Sequence, residues 1–310
     1  MQVVSFGECM LELQGEPFGL MRQGFGGDTL NTAIYLARCG ARRGLRVHYA
    51  TALGDDSLSS GLMQRWSEES IGLDFVRRLP GRMPGLYLIE VDPRGERRFS
   101  YWRGEAAARA YFDTEPDATP LEARLAEIDA LYFSGISLAI LPAAGRERLW
   151  QAAQRLRARG GLVVFDNNYR PRLWPDAAQA RAAFDRSLAL ASIALLTLDD
   201  EIALRPDGDA AAALEAALAA PSGEVVIKRG AGATLVRTGG TAPVEVAALE
   251  VPQVVDTTAA GDSFAGAYLA ARLTGRSAVE AAHAGNRLAA RVVQFRGALI
   301  NRADMADLME

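Results

Sequence analysis

The chain has 310 residues, 49% of them hydrophobic and 23% charged, which are ordinary proportions for a globular protein and exclude a disordered or fibrous one. With 34 Lys and Arg against 38 Asp and Glu the net charge is −4, and no basic run is dense enough to serve as a footprint for nucleic acid or an anionic membrane. The two cysteines, Cys9 and Cys39, are too few for a disulfide framework and lack metal-ligand spacing, which fits a reducing compartment and two small core side chains.

The N-terminus, Met1 to Glu8, has neither the basic segment nor the apolar stretch of a signal peptide, and no run of ~18 apolar residues would span a bilayer, so the cytoplasm is expected. The first apolar run, Val3–Phe6, reads as a strand. Met10–Phe25 is short-stranded and rich in glycine, and Gly24-Phe25-Gly26-Gly27 then leads into a helix over Asp28–Cys39. A strand at His48–Leu53 and a helix at Ser57–Ser70 follow.

Between Phe75 and Arg103 the pattern alternates, as in Gly85–Val91 and Glu96–Arg103, around the turn Asp92-Pro93-Arg94-Gly95. This predicts a hairpin which, with the 10–25 segment, makes a small sheet standing off the body as a lid. The stretch Asp113–Pro120 reads as a connection. From there strands at Ala130–Phe133, Leu162–Phe165, Ile193–Leu196 and Val225–Ile227 alternate with helices at Pro142–Arg159, Ala177–Leu190 and Asp209–Ala219, and helices at Gly261–Leu273 and Ala278–Gln294 close the chain. Strand–helix alternation of this kind predicts an α/β fold with a parallel sheet covered on both faces, in one domain over residues 1–310.

The segment with the strongest chemical signal is Val254-Val255-Asp256-Thr257-Thr258-Ala259-Ala260-Gly261-Asp262-Ser263, small residues entering an apolar helix. Its small side chains let the amides of Ala259, Ala260 and Gly261 converge on an anion at the positive end of the helix dipole. Asp262 in the first turn is either a helix-favouring charge or a base placed beside that anion hole. Asp166-Asn167-Asn168-Tyr169-Arg170-Pro171-Arg172 follows a buried strand, where polar residues line a ligand cleft. Arg170, and Arg103 after Tyr101 and Trp102, could each grip a carboxylate or phosphate with two prongs. His48 and His283 have no companions at ligand spacing and read as packing residues.

Asp-Thr-Thr-Ala-Ala-Gly-Asp at 256–262 resembles the C-terminal signature of the ribokinase-like (PfkB) carbohydrate kinases, with Ala259 where glycine is commoner. The run Gly26-Gly27-Asp28-Thr29-Leu30-Asn31 resembles the N-terminal signature of the same family, and two signatures ~230 residues apart in the right order are far more specific than either alone. The resemblance implies a three-layer ribokinase-like α/β/α body with a β-sheet lid. It makes Asp262 the catalytic base, and Ala259, Ala260 and Gly261 the anion hole. Gly27, Asp28 and Asn31 would bind substrate hydroxyls. Lys228, Gly230 and Gly232 in Lys-Arg-Gly-Ala-Gly, with Asn168, Arg170, Thr258, Gly261 and Asn286, would contact ATP. Leu195 to Glu201 resembles a segment linked to metal and phosphates, in which only Glu201 survives, as a water-mediated Mg²⁺ ligand, because Leu198 stands at the usual Asn position.

Tyr-Trp-Arg at 101–103, Asn-Tyr-Arg-Pro-Arg-Leu-Trp at 168–174 and Gly-Gly-Asp-Thr-Leu-Asn at 26–31 look like the branch of the family that phosphorylates 2-keto-3-deoxygluconate at its terminal 6-hydroxyl. That branch implies Tyr87, Tyr101, Arg103 and Arg170 as substrate residues, and family habit implies a homo-oligomer formed through the lid; assistance by a monovalent cation is left open. A neutral-sugar kinase such as a fructokinase on the same scaffold is the related alternative, and a sugar-acid sensor without catalysis is the alternative of another class. A nucleotide-dependent oxidoreductase is disfavoured because no Gly-x-Gly-x-x-Gly follows the first strand.

Overall fold

The computed structural model describes residues 1–91, 97–114, 117–205 and 208–309. The turn expected at 92–95, with Glu96, lies outside them, as do residues 115 and 116 of the expected connection.

In chain order the elements are β1 (Gln2–Phe6), β2 (Met10–Gly15), β3 (Met21–Gly26), α1 (Asp28–Gly40), β4 (Arg46–Leu53), α2 (Ser57–Glu68), β5 (Ile71–Gly72), β6 (Val76–Arg78), β7 (Gly85–Val91) and β8 (Arg97–Trp102). There follow α3 (Pro120–Ala123), β9 (Ala130–Ser134), α4 (Gly135–Ile140), α5 (Ala143–Ala158), β10 (Leu162–Asp166), α6 (Ala177–Leu190), β11 (Ile193–Thr197), α7 (Leu198–Ala203) and α8 (Ala210–Leu218). The chain continues with β12 (Glu224–Lys228), β13 (Thr234–Thr238), β14 (Val244–Val246), α9 (Ala260–Leu273) and α10 (Ala278–Val292).

The large sheet runs β14-β13-β12-β11-β10-β9-β1-β4-β5, with β6 also on β4. From β12 to β5 it is parallel, and β13 and β14 extend it antiparallel. Its central strands are buried along almost their whole length, which explains why β1, β9, β10 and β11 read as unbroken apolar runs rather than alternations. One face carries α1, α2, α9 and α10 over a core that includes Leu30, Tyr49, Trp66, Phe264 and Tyr268; the other carries α4, α5, α6 and α8 over Phe133, Leu149, Phe165 and Phe184. The result is the layered α/β/α body expected from the sequence.

A second sheet, β3-β2-β7-β8, holds both segments read as short-stranded. Within it β2 and β7 are parallel, whereas β2/β3 and β7/β8 are antiparallel hairpin pairs. Periodicity did not reveal β13, β14 or the short helices α3, α4 and α7, because an edge strand of three to five residues or a single helical turn is too short for a pattern to repeat.

Both glycine-bearing motifs open helices, and a shared contact aligns them. α1 and α9 pack side by side because Gly266 brings the backbones close: a Cβ there would lie 2.6 Å from the Tyr35 Cβ and 2.9 Å from the Leu36 amide nitrogen. The N-terminal ends of the two helices consequently meet at the carboxyl edge of the large sheet, where an open α/β fold binds its ligands.

Candidate active site

The carboxyl ends of the parallel strands place Lys228, Asp166, Ser134 and, just past β1, Glu8 along one edge. Asp262, the third residue of α9, faces α1: its Oδ2 accepts a hydrogen bond from Asn31 Nδ2 at 2.9 Å. Burial pushes the Asp262 carboxyl up to about 7, helped by the neighbouring Asp28 and Asp166 charges and opposed by the Asn31 bond and Lys228. A carboxylate held near neutrality can take a proton from an alcohol and release it again. Asn31 Oδ1 is buried and unpartnered among the described residues, which leaves an acceptor available beside Asp262.

The α9 entrance differs in detail from the expectation. Ala259 is the N-cap and takes the left-handed conformation at φ 59°, ψ 17°, the conformation for which glycine is the unstrained residue. The Ala260 amide donates to the Thr257 carbonyl at 3.2 Å and is therefore turned away from an incoming anion. The amides of Ala259 and Gly261 make no hydrogen bond among the described residues and are left to serve one, as orphan donors at a helix N-terminus do. Asp256 fixes the loop: its Oδ1 accepts from the amide and hydroxyl of Thr258, at 3.0 and 2.7 Å, and its Oδ2 from the Gly297 amide at 2.8 Å. The Thr258 hydroxyl is thus committed to the loop.

Lys228 donates to Asp166 Oδ2 at 2.8 Å, and its ammonium lies 3.6 Å from where a Cβ on Gly261 would stand, so it sits beside the α9 entrance. Asn168 donates from Nδ2 to Asp28 Oδ2 at 2.7 Å, linking a residue expected at ATP with one expected at substrate. Its φ of 21° is of a kind that asparagine tolerates better than most residues. Burial raises the Asp28 carboxyl, and bonds from Ser134, Thr29 and Asn168 oppose that rise. Gly27 is needed for space, since a Cβ there would come within 2.2 Å of the Glu8 carbonyl oxygen.

The small sheet contributes a second cluster. The Tyr87 hydroxyl donates to Glu12, Tyr101 packs 6.0 Å from the Tyr87 ring, and Arg103 is ion-paired with Glu8. Glu8 is 2% exposed, its Oε1 has no partner among the described residues, and burial raises its carboxyl despite Arg103. Sequence reasoning missed Glu8, Glu12 and Asp166. Carboxylates at strand ends, such as Asp166, were the available signal.

Three expected ligands already hold partners within the protein. Glu201 is buried in α7, accepting from Asn167 Nδ2 at 3.0 Å and from Arg181 at 3.1 Å, and so ties α7 to α6 and to the segment after β10. Asn286 is likewise turned inward, accepting from the Thr234 hydroxyl at 2.9 Å and donating to the Ala247 carbonyl at 3.0 Å, which ties α10 to the sheet edge. Arg170 lies at the exposed margin of the carboxylate cluster, its side chain 53% exposed and 3.5 Å from Asp200. Gly230 and Gly232 occupy the exposed turn between β12 and β13, with Gly230 at φ 58°.

The chain is similar to known carbohydrate kinases along its length. The family model described as pfkB family carbohydrate kinase matches residues 1–304. A 2-dehydro-3-deoxygluconokinase of Dickeya dadantii is 50% identical over 300 residues, 96% of each chain, and one of Escherichia coli K12 is 47% identical over 306 residues, 98% of each. Among solved structures, a fructokinase with bound ATP from Xylella fastidiosa superposes with a TM-score of 0.81 at 25% identity, covering 99% of this chain and 98% of its own.

Proposed function

The chain belongs to the pfkB family of carbohydrate kinases, and from that premise we propose that it transfers the γ-phosphoryl group of ATP to the 6-hydroxyl of 2-keto-3-deoxygluconate, giving 2-keto-3-deoxy-6-phosphogluconate and ADP. The observation that carries the substrate is end-to-end identity of 47–50% with two 2-dehydro-3-deoxygluconokinases, twice that with the fructokinase. The neutral-sugar reading and the sensor reading are correspondingly disfavoured. ATP is the nucleotide in the fructokinase structure, and we assign it here to the α9 entrance, Lys228 and the Gly230–Gly232 turn. We place the enzyme in the cytoplasm; among the described residues no helix is long and apolar enough to cross a membrane.

In this reading the substrate lies between the two sheets. Arg103, steadied by Glu8, faces its carboxylate, Asn31 Oδ1 accepts one of its hydroxyls, and the small sheet acts as a lid whose closure excludes water. Asp262 takes the proton of the 6-hydroxyl as that oxygen bonds to the γ-phosphorus and the bond to the ADP oxygen breaks. The Ala259 and Gly261 amides, with Lys228, stabilise charge on the transferring group.

The donor set fits Mg²⁺. An ion held mainly by phosphates and water needs only one or two protein carboxylates. Asp166 and Asp200 would supply those; burial raises Asp200, and the like charge of Asp166 adds to the rise. When bound, Mg²⁺ neutralises phosphate charge.

ADP release with MgATP and 2-keto-3-deoxygluconate, fructose, ribose or gluconate, each beside Asp262→Asn, tests the reading. Turnover confined to the keto-acid and lost in the variant supports it; fructose turned over faster than the keto-acid sinks the substrate assignment, and an undiminished variant sinks the base. Exchanging K⁺ for Na⁺ in the same assay reads whether a monovalent cation assists.

A further inference from the structure

After β8 the chain folds back through two tight turns, in which the Ala106 amide donates to the Arg103 carbonyl at 3.2 Å and the Arg109 amide to the Ala106 carbonyl at 3.1 Å. Residues Ala107–Ala110 form a 3₁₀ turn, fixed to the segment before β7 by the Ala107 amide, which donates to the Met83 carbonyl at 2.8 Å. Ala106, Ala107, Ala108 and Ala110 are buried, and Arg109 is the charged residue set among them. It is half-buried, yet its guanidinium makes no hydrogen bond or ion pair among the described residues.

The charge it faces is Glu8. Burial raises the Glu8 carboxyl, Arg103 and then Arg109 oppose that rise, and Asp28 adds to it. Glu8 gives its Oε2 to Arg103, whereas its Oε1 has no partner among the described residues, and Arg103 Nε is likewise unpartnered. Gly85, at the start of β7, keeps this corner open: a Cβ there would lie 2.8 Å from Glu8 Oε1 and 3.3 Å from the Arg103 Cβ. Asp28, the other carboxylate near Glu8, is claimed by Asn168 Nδ2 at 2.7 Å. An arginine that only snorkels from a surface turn points its head to solvent, away from a carboxylate buried as deeply as Glu8.

We propose that Arg109 is a second cation for the substrate carboxylate, gripping it together with Arg103 while Glu8 aligns both. The inference rests on the kinase reading above and adds to it a residue that selects the acid over a neutral sugar. A carboxylate offers about four lone-pair sites, so one arginine fork does not exhaust it. Glu8 Oε1 is the acceptor open to Arg109, which lets one buried carboxylate orient two forks. A neutral sugar would present a hydroxymethyl group there and leave both guanidinium groups without a charge to meet, and a site whose polar groups go unpaired rejects such a ligand strongly.

Steady-state kinetics of the wild type, Arg109→Gln and Arg109→Lys test the assignment, using 2-keto-3-deoxygluconate and 3-deoxyfructose, which has a hydroxymethyl group in place of the carboxylate. Calorimetric titration with the acid and a thermal melt accompany each variant. In Arg109→Gln, kcat/KM for the acid is expected to fall at least ~10-fold relative to that for 3-deoxyfructose, as for loss of a charge-assisted hydrogen bond. The fall should come mainly through KM, with weaker binding of the acid and an unmoved KM for ATP, and Arg109→Lys should recover part of it. If Arg109→Gln lowers the melting temperature, the same ratio is read from Arg109→Lys, which keeps the charge, loses the fork and must still show a smaller fall. An unchanged preference for the acid, or an equal loss on both compounds, overturns the role of Arg109 and leaves the kinase reading standing. A wild type that does not turn over the keto-acid overturns the kinase reading and the role of Arg109 with it.

Discussion

In the proposed mechanism Asp262 concentrates the chemistry in one side chain whose ionisation depends on its surroundings. With its carboxyl pushed up to about 7, kcat/KM for the free enzyme is expected to rise with pH through that region and level off above it, since the base works only when ionised. Asp262→Asn should lower kcat by ~10²–10⁴ and abolish this limb while leaving ligand binding nearly intact; a pH profile of the variant checks both. The same shift acts on stability with the opposite trend. The folded-state pKa lies above the ordinary aspartate value of 3.8, so between roughly pH 4 and pH 7 the native state holds a proton that the unfolded chain has released, and stability falls as pH rises across that window. Removing the charge should flatten this part of a pH–stability curve measured by urea unfolding. Ala259 is a different residue-scale case: a left-handed alanine costs roughly 1–2 kcal/mol, partly offset in a glycine variant by unfolded-chain entropy. Ala259→Gly should therefore stabilise the protein by about 1 kcal/mol, read from the denaturation midpoint, with the anion-binding amides unchanged. A loss of stability would show that the loop does not carry this strain.

Between elements, the decisive contact is α1 against α9. Asn31 on one helix reaches Asp262 on the other because Gly266 lets the backbones approach. Gly266→Ala would put a methyl within 2.6 Å of the Tyr35 Cβ and 2.9 Å of a backbone nitrogen, and neither can yield without moving a helix. The expected cost is ~1–3 kcal/mol of overpacking, accompanied by a larger loss of kcat than of substrate affinity as the Asn31–Asp262 pair separates. A variant of unchanged melting temperature and kcat would refute the close-approach argument. In the small sheet, Glu8 holds Arg103 across the gap between body and β8. Glu8→Gln, which keeps the shape and removes the charge, should raise KM for the keto-acid more than for ATP. Parallel rises in both would point to general loosening instead.

For the whole molecule, the small sheet leaves Phe99, Tyr101 and Trp102 exposed on β8, and an unpaired, aromatic edge of this kind invites another chain. The homo-oligomer proposed through the lid predicts that Trp102→Glu shifts the protein to a smaller species in sedimentation; an unaltered profile would move the interface elsewhere or remove it. The strand–helix alternation, the two-sheet division and the glycine-to-helix motifs were legible along the sequence, because period, turn chemistry and small-residue runs are local properties. So was the motif that singles out Asp262 as the proposed base, since it is contiguous. Side-chain commitment was not legible. Glu201 and Asn286 have the chemistry of ligands, yet Asn167 and Arg181 claim one and Thr234 and Ala247 the other, from partners 20 to 52 positions away. Likewise Ala260 loses its amide to Thr257, and Ala259 takes a left-handed backbone, only because of how the chain enters α9. What the sequence determined by itself was where the longer strands and helices lie and which motif holds the proposed base; what the tertiary structure decided was which polar groups remain unpaired at the cleft, because a hydrogen bond depends on atoms that folding brings within 3 Å of each other and not on their spacing along the chain.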